Sequence, residues 1–205
     1  MPIIRRNMSL DVLFINPGNA KKIYQDLAKD YSAIETPTWA LLLAESCRSV
    51  GHDVAILDIN AERLCSTVAI ERIKNLNPRL ICFVVYGQNP NSGTVNMSGT
   101  CALASEIKKA GINIPISIVG SHVQSLPYET LTNEKDIDII FANEGVYALR
   151  NLLEKEDLHD VAQLSTVRGI GFRRQGEAFL TPPERVVPQN RMDTDLPGYA
   201  WDLLP

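Results

Sequence analysis

Leu80-Ile81-Cys82-Phe83-Val84-Val85-Tyr86 is apolar at every position and runs straight into Gly87-Gln88-Asn89. A strand with one wet face alternates apolar and polar residues. A short run that is apolar throughout fits a strand covered on both faces, as in a parallel sheet. Similar runs, rich in Val, Ile and Phe, stand at Val12–Ile15, Val54–Leu57, Ile116–Val119 and Ile137–Ala142. The segments between them carry helical spacing. Trp39, Leu42, Leu43, Cys47 and Val50 make one stripe, Ala69, Ile73 and Leu76 a second, Cys101, Ala104 and Ile107 a third, and Val146, Leu149 and Leu153 a last one. Ser66 suits the N-cap of the second helix, and Gly51 and Gly111 stand where a C-cap glycine belongs. Five strands alternating with helices predict an α/β fold, a doubly wound five-stranded parallel sheet with right-handed crossovers.

Two features break the alternation. Residues 19–37 are too long for a strand-to-helix turn, and long connections of this kind are usually functional or partly helical. After Glu156 the pattern changes. Arg168–Arg174 and Glu177–Thr181 flank Gln175-Gly176, which predicts a C-terminal β-hairpin, and Pro188 to Pro205 reads as an extended connector. The expected organisation is an α/β domain over 9–157, a hairpin appendage over 158–187 and a connector over 188–205.

Composition narrows the partners. The 205 residues carry 45% hydrophobic and 21% charged residues, enough for one buried core. A formal net charge of −4 argues against a nucleic-acid partner. No apolar run approaches the roughly 20 residues that span a bilayer. The start, MPIIRRNMSLDV, lacks the apolar core of a signal peptide, so a cytoplasmic location is expected and no membrane partner. Cys47, Cys65, Cys82 and Cys101 stand far apart with no CxxC pair, and buried thiols behave as small hydrophobes.

In an open parallel sheet, ligands bind outside the carboxyl ends of the strands. Here those ends read Asn16-Pro17-Gly18-Asn19, Asp58-Ile59-Asn60, Tyr86-Gly87-Gln88-Asn89, Gly120-Ser121-His122 and Asn143-Glu144-Gly145. Any strand-to-helix turn favours Gly, Asn and Asp, so one such turn says little. Four glycine-bearing turns on one edge, with Tyr86 and His122 among them, point to a ligand. Dinucleotide and phosphate-loop glycine motifs are missing, as is any nucleophile elbow. No residue is assigned as catalytic and none as a metal ligand.

The same residues resemble a known family. Ile15-Asn16-Pro17 ends the first strand. A Pro-led helix then runs into Gly51-His52-Asp53-Val54-Ala55-Ile56-Leu57-Asp58, similar to the pattern GH-x-V-x-x-x-D. Val119-Gly120-Ser121-His122-Val123 is close to GG-x-H, and Asn143-Glu144-Gly145 is similar to GEGE. In this order and over nearly the whole chain, they resemble the N-terminal cobalamin-binding domain of class B radical S-adenosylmethionine enzymes, many of which are methyltransferases. The ending Leu196-Pro197-Gly198-Tyr199-Ala200-Trp201-Asp202 looks like the connector into the radical domain. The sequence departs from the family at Ser121, which replaces the second glycine, and after Gly145, where the second acid is lost.

The resemblance implies a Rossmann-like or flavodoxin-like fold with cobalamin as cofactor. The implied site is Asn16, Pro17, Gly18, Asn19, Tyr86, Gly87, Gln88, Asn89, Gly120, Ser121, His122, Asn143, Glu144 and Gly145. Small residues at Gly120, Ser121, Ser92 and Gly93 are expected to open a slot for the nucleotide tail. The implied partner is a C-terminal radical domain of the same polypeptide, holding S-adenosylmethionine and a 4Fe-4S cluster. This chain lacks the CxxxCxxC that binds such a cluster, so alone it is not expected to be catalytic. A D-x-H-x-x-G motif is also missing after the first strand, so histidine ligation of cobalt is not expected, His122 being the one exception to test. His52 is read as structural and His159 as solvated. The rival reading is a flavodoxin-like or receiver-like regulatory or protein-interaction module. A receiver wants adjacent acids after the first strand, where this chain has Asn16-Pro17.

Overall fold

The apolar runs form parallel strands in the computed structural model, which describes residues 10–18, 34–86 and 90–205. They are β1 (Val12–Asn16), β2 (Val54–Asp58), β3 (Leu80–Val85), β4 (Ile116–Gly120) and β5 (Ile139–Phe141). Helices α1 (Thr38–Arg48), α2 (Ser66–Leu76), α3 (Pro90–Lys109), α4 (Ser121–Ser125), α5 (Pro127–Asn133) and α6 (Val146–Leu153) connect or follow them. The sheet has seven strands rather than the expected five, in the order β2-β1-β3-β4-β5-β6-β7. The hairpin strands β6 (Ile170–Arg174) and β7 (Glu177–Leu180) make the difference, because β6 pairs antiparallel with β5 and continues the same sheet. Gln175 and Gly176 turn the hairpin with φ of 56° and 85°, the double left-handed turn that matches the twist of the flanking strands.

Each buried strand sorts its side chains by the period of two. In β3, Leu80, Cys82 and Val84 join the core layer under α1 and α6, and Ile81, Phe83 and Val85 the layer under α2 and α3. Phe14, Phe83, Phe141 and Phe172 are fully buried, each contributing about 2–3 kcal/mol of transfer free energy. Burial also pushes the Cys82 thiol up to about 12, so it packs as a neutral hydrophobe.

Three local expectations change. Leu41 and Ala40 are buried in α1, while Val50, placed in the expected stripe, is 49% exposed. Val50 lies past the end of the helix at Arg48, and the buried Ala200 donates its N–H to the Leu41 carbonyl from the C-terminal segment. Ser66 is the first residue of α2 rather than its N-cap, which is Cys65 in extended conformation. The stretch from Pro188 to Pro205 is not simply extended. It holds 3-10 turns at Gln189–Arg191 and Trp201–Leu203 and a short helix at Met192–Asp195. Asp195 pins it, accepting from Tyr147 Oη at 2.5 Å and Arg191 Nε at 3.1 Å, and Asp202 pairs with Arg48 Nη1 at 2.6 Å.

Arg173 of β6 bridges two parts of the sheet's far end. Its Nε donates to the Leu131 carbonyl at 3.0 Å, Nη1 to Ile137 at 2.7 Å and Nη2 to Glu134 at 2.6 Å. One guanidinium thus serves three carbonyls at the end of α5 and before β5, a fork that a lysine cannot imitate. Arg173→Ala is expected to destabilise the fold by roughly 2–3 kcal/mol, and Arg173→Lys to recover little of it. Urea unfolding of the three proteins measures this, and equal midpoints would disprove the role.

Candidate functional site

Five parallel strands place five carboxyl ends on one edge, together with the first turns of the helices that follow. The strand order reverses at β1, which lies between β2 and β3. A crevice forms at such a switch point. On its β2 side, the Asn16 side-chain amide donates to Asp58 Oδ1 at 2.9 Å, and the same oxygen accepts the Ala61 N–H at 2.9 Å. Asp58 is buried at 1% exposure, so these bonds fix the ends of β1 and β2 together. Pro17 and Gly18 line a small cavity with Ile59, Ser66, Gly99 and Ala102, on the α2 and α3 side.

A different group forms on the α1 and α6 side. Trp39, in the first turn of α1, meets Tyr86, just past β3, in an edge-on contact with ring centroids 5.5 Å apart and planes at 60°. The Trp39 indole Nε1 donates to the Glu144 carbonyl at 3.0 Å. The Gln124 amide of α4 donates to the Tyr86 hydroxyl. Burial pushes the Tyr86 phenol up to about 12 against the Gln124 hydrogen bond, so the ring stays neutral.

The β5–α6 turn closes this group. Asn143 Oδ1 accepts the Gly145 N–H at 3.0 Å and its Nδ2 donates to the Glu184 carbonyl at 3.0 Å, so its amide holds the turn. Glu144 Oε1 accepts the Val187 N–H at 2.5 Å. Gly145 has φ of +86°, and a Cβ there would stand 3.2 Å from Val119 Cγ2. A side chain would be strained twice, by conformation and by contact.

Gly120 does not open a slot as expected. A Cβ on Gly120 would lie 2.2 Å from the Val85 carbonyl oxygen, so the glycine serves the close approach of β4 to β3. Ser121 and His122 follow in the first turn of α4, both partly exposed. Ser92 and Gly93 fall at the start of α3. Asn19, Gly87, Gln88 and Asn89 lie outside the described residues. The edge therefore gathers Asn16, Pro17 and Gly18 on one side of the sheet, and Tyr86, Glu144 and Gly145 on the other. Trp39 and Gln124 join the second group unannounced. Their signal was position: each stands in the first turn of a helix that begins at this edge.

The other histidines lie elsewhere. His52 stands between Asp11, 3.7 Å from Nδ1, and Glu154, 3.4 Å from Nε2, in the turn from α1 to β2 at the opposite edge, which fits the structural reading. His159 is exposed. Among the described residues no group of three or more His, Cys, Asp or Glu could hold a metal ion, and no helix is long and apolar enough to cross a membrane.

Gly120→Ala is expected to cost roughly 1–3 kcal/mol in the ligand-free protein, because a backbone carbonyl cannot rotate away, while Ser121→Ala stays within about 0.5 kcal/mol. Denaturant midpoints separate the two, and a Gly120→Ala protein as stable as the parent would overturn the close-approach account.

Comparison with known proteins adds a family and a fold. A family model described as "B12 binding domain" matches residues 25–153. Among solved structures, the chain is similar to the radical S-adenosylmethionine methyltransferase TsrM from Kitasatospora setae with cobalamin and a 4Fe-4S cluster bound. That likeness has 16% identity and a TM-score of 0.60, and covers 89% of this chain and 30% of that one. The TsrM structure with tryptophan substrate and an S-adenosylmethionine analogue gives 17% and 0.62 over 85% of this chain and 30% of that one. The cobalamin-dependent S-adenosylmethionine radical enzyme OxsB, with aqua-cobalamin and S-adenosylmethionine bound, gives 16% and 0.66 over 94% of this chain and 24% of that one. The chain thus spans between 24% and 30% of the length of these enzymes. At such identities the likeness carries the fold alone. No curated protein matches.

Proposed function

The chain belongs to the B12-binding domain family, and on that premise we propose that it seats one cobalamin over the carboxyl edge of its sheet and presents it to a radical S-adenosylmethionine domain C-terminal to it in the same polypeptide. The observation that carries the reading is that the carboxyl ends of β1, β3, β4 and β5 lie on one edge of the sheet, where the strand order reverses at β1.

The proposed contacts are Asn16, Pro17, Gly18, Asn19, Tyr86, Gly87, Gln88, Asn89, Gly120, Ser121, His122, Asn143, Glu144 and Gly145. The described part of this set fits a corrinoid in kind. Its side chains are mostly neutral amides, hydroxyls and a neutral phenol, which suit a ligand rimmed by amides. Gly120 and Gly145 contribute by shaping the backbone. In this reading 9–157 carries the site, the hairpin within 158–187 widens its sheet, and 188–205 leads toward the radical domain. Bound cobalamin supplies a cobalt centre able to carry a methyl group. The residues of this chain would bind it and orient it. S-adenosylmethionine and the 4Fe-4S cluster belong to the partner domain, which carries out methyl transfer or a related radical reaction.

Mixing the purified protein with hydroxocobalamin, followed by gel filtration, should leave about one corrinoid per chain, since such sites are few per domain. A cooperatively folded protein that elutes free of corrinoid would refute the proposal. His122 is the one histidine of the three at this edge, and protein imidazole is expected not to ligate cobalt. Electron paramagnetic resonance of the cob(II)alamin form should therefore lack nitrogen splitting from the protein and be unchanged in His122→Ala. Splitting that vanishes in the variant would assign His122 as a ligand.

A further inference from the structure

Two strand ends and two helices enclose a cavity at this edge, on the face of the sheet opposite the Trp39–Tyr86 pair. Pro17 and Gly18 are the first residues past β1, and Ile59 is the first past β2. Together with Leu64 and, from α3, Gly99, Ala102 and Leu103, they line a space of about 180 Å³. Ile59 and Leu103 belong to the core layer under α2 and α3. The space holds roughly a dozen waters at about 10–15 Å³ each. It falls below the roughly 300–1,000 Å³ of a pocket that encloses a whole small ligand. Its size therefore suits one limb of a larger molecule. Among the described lining residues no side chain is charged, and the Ser66 hydroxyl, in the first turn of α2, is the one polar side chain. An ionic group entering here would lose its hydration without compensation.

Gly18 supplies a second observation. Its φ lies outside the left-handed region, and a Cβ on it would meet Ile59 Cγ2 and Asn60 Cα at 3.4 Å, an ordinary contact. Close approach demands glycine at 120 and a positive φ favours it at 145, but neither applies at 18. The fold permits a side chain there, and none stands where the cavity lies.

Resting on the reading of this edge as a corrinoid site, we propose that the cavity seats one of the amide-ended arms at the rim of the corrin. The methylene stem packs against Ile59, Leu64 and Leu103, and the amide meets the Ser66 hydroxyl. Such an arm is narrow and uncharged, apolar along its stem and polar only at its tip, and the cavity has the same distribution of properties. A hydroxyl both donates and accepts, so either end of an amide finds a partner in it. Ser66, Gly99 and Ala102 thereby join a site that the strand-end turns alone do not describe, and the corrin is gripped on the α2 and α3 face as well as over the strand ends.

The test fills the cavity from α3. Hydroxocobalamin and diaquacobinamide both carry the amide arms, and only the first carries a nucleotide tail. Each is titrated into the parent, Gly99→Leu, Ala102→Leu and Ser66→Ala and followed by visible absorbance, with thermal midpoints of the free proteins recorded alongside. The leucine variants should bind both probes roughly tenfold more weakly, which is what exposing the two methylenes of an arm is worth. Their midpoints should hold or rise, since leucine favours a helix over glycine and fills apolar space. That opposition of signs is not expected of a purely structural void. Ser66→Ala should weaken both probes about two- to tenfold, the worth of one hydrogen bond. Should a leucine variant fail to fold, Gly99→Val and Ala102→Val fill less of the space and serve the same comparison. Parent affinity in the filled variants, or a loss confined to hydroxocobalamin, overturns the arm seat while leaving the corrinoid reading intact. Unchanged affinity in Ser66→Ala overturns the placement of the amide. A folded parent that takes up neither probe overturns the corrinoid reading and the seat with it.

Discussion

Everything in this molecule depends on five neighbouring strands running in the same direction. Parallel pairing needs a crossover between each pair of strands, and the crossovers put helices on both faces and bury the strands twice. It also sends every carboxyl end to one edge. With β1 between β2 and β3, successive crossovers leave in opposite directions, and the edge opens where they part. The site is a consequence of that geometry before any side chain is chosen. Asn16 and Asp58 stand side by side because β1 and β2 end in register, and Tyr86 follows the longer β3 at the same edge.

Much of this was legible in the sequence, and for a simple reason. Leu80 to Val85 must satisfy two apolar layers at once, and no polar residue can stand in such a strand without betraying itself. The hairpin was legible as a hairpin from Gln175-Gly176, but not as an extension of the sheet. Nothing in a local alternation says which edge its first strand will find. The stripe on α1 was read correctly at Leu43 and Cys47, but Val50 lies past the helix end at Arg48, and the burial of Ala40 and Leu41 on a further side was not encoded in the stripe. At the site, the turns could be read directly. Trp39 could not, since an aromatic residue in an amphipathic stripe looks like core whether or not it also faces a ligand. Gly120 was read as room for a ligand, when its missing Cβ makes room for the Val85 carbonyl.

Family and fold speak at different levels here. The match to B12-binding domains covers 25–153 and gives membership. The likeness to TsrM and OxsB, at 16–17% identity, gives a path of the backbone and almost none of the side chains along it. A fold shared at that distance fixes where a ligand lies more firmly than what holds it. What would grip a cofactor in this chain therefore has to be argued from its own residues.

The three bonds of Arg173 have a consequence for what counts as an independent unit. The carbonyls of Leu131, Glu134 and Ile137 belong to the part of the chain that carries the site, but the cation that satisfies them comes from beyond residue 157. The outer edge of β5 likewise finds its partner in β6. A polypeptide ending at 157 would expose a raw sheet edge of the kind that invites association, and would leave those carbonyls to water. The bonds that complete the sheet thus cross the boundary expected at 157 from the sequence. The same segment also reaches the β5–α6 turn, where the Glu184 carbonyl accepts from Asn143 and the Val187 N–H donates to Glu144.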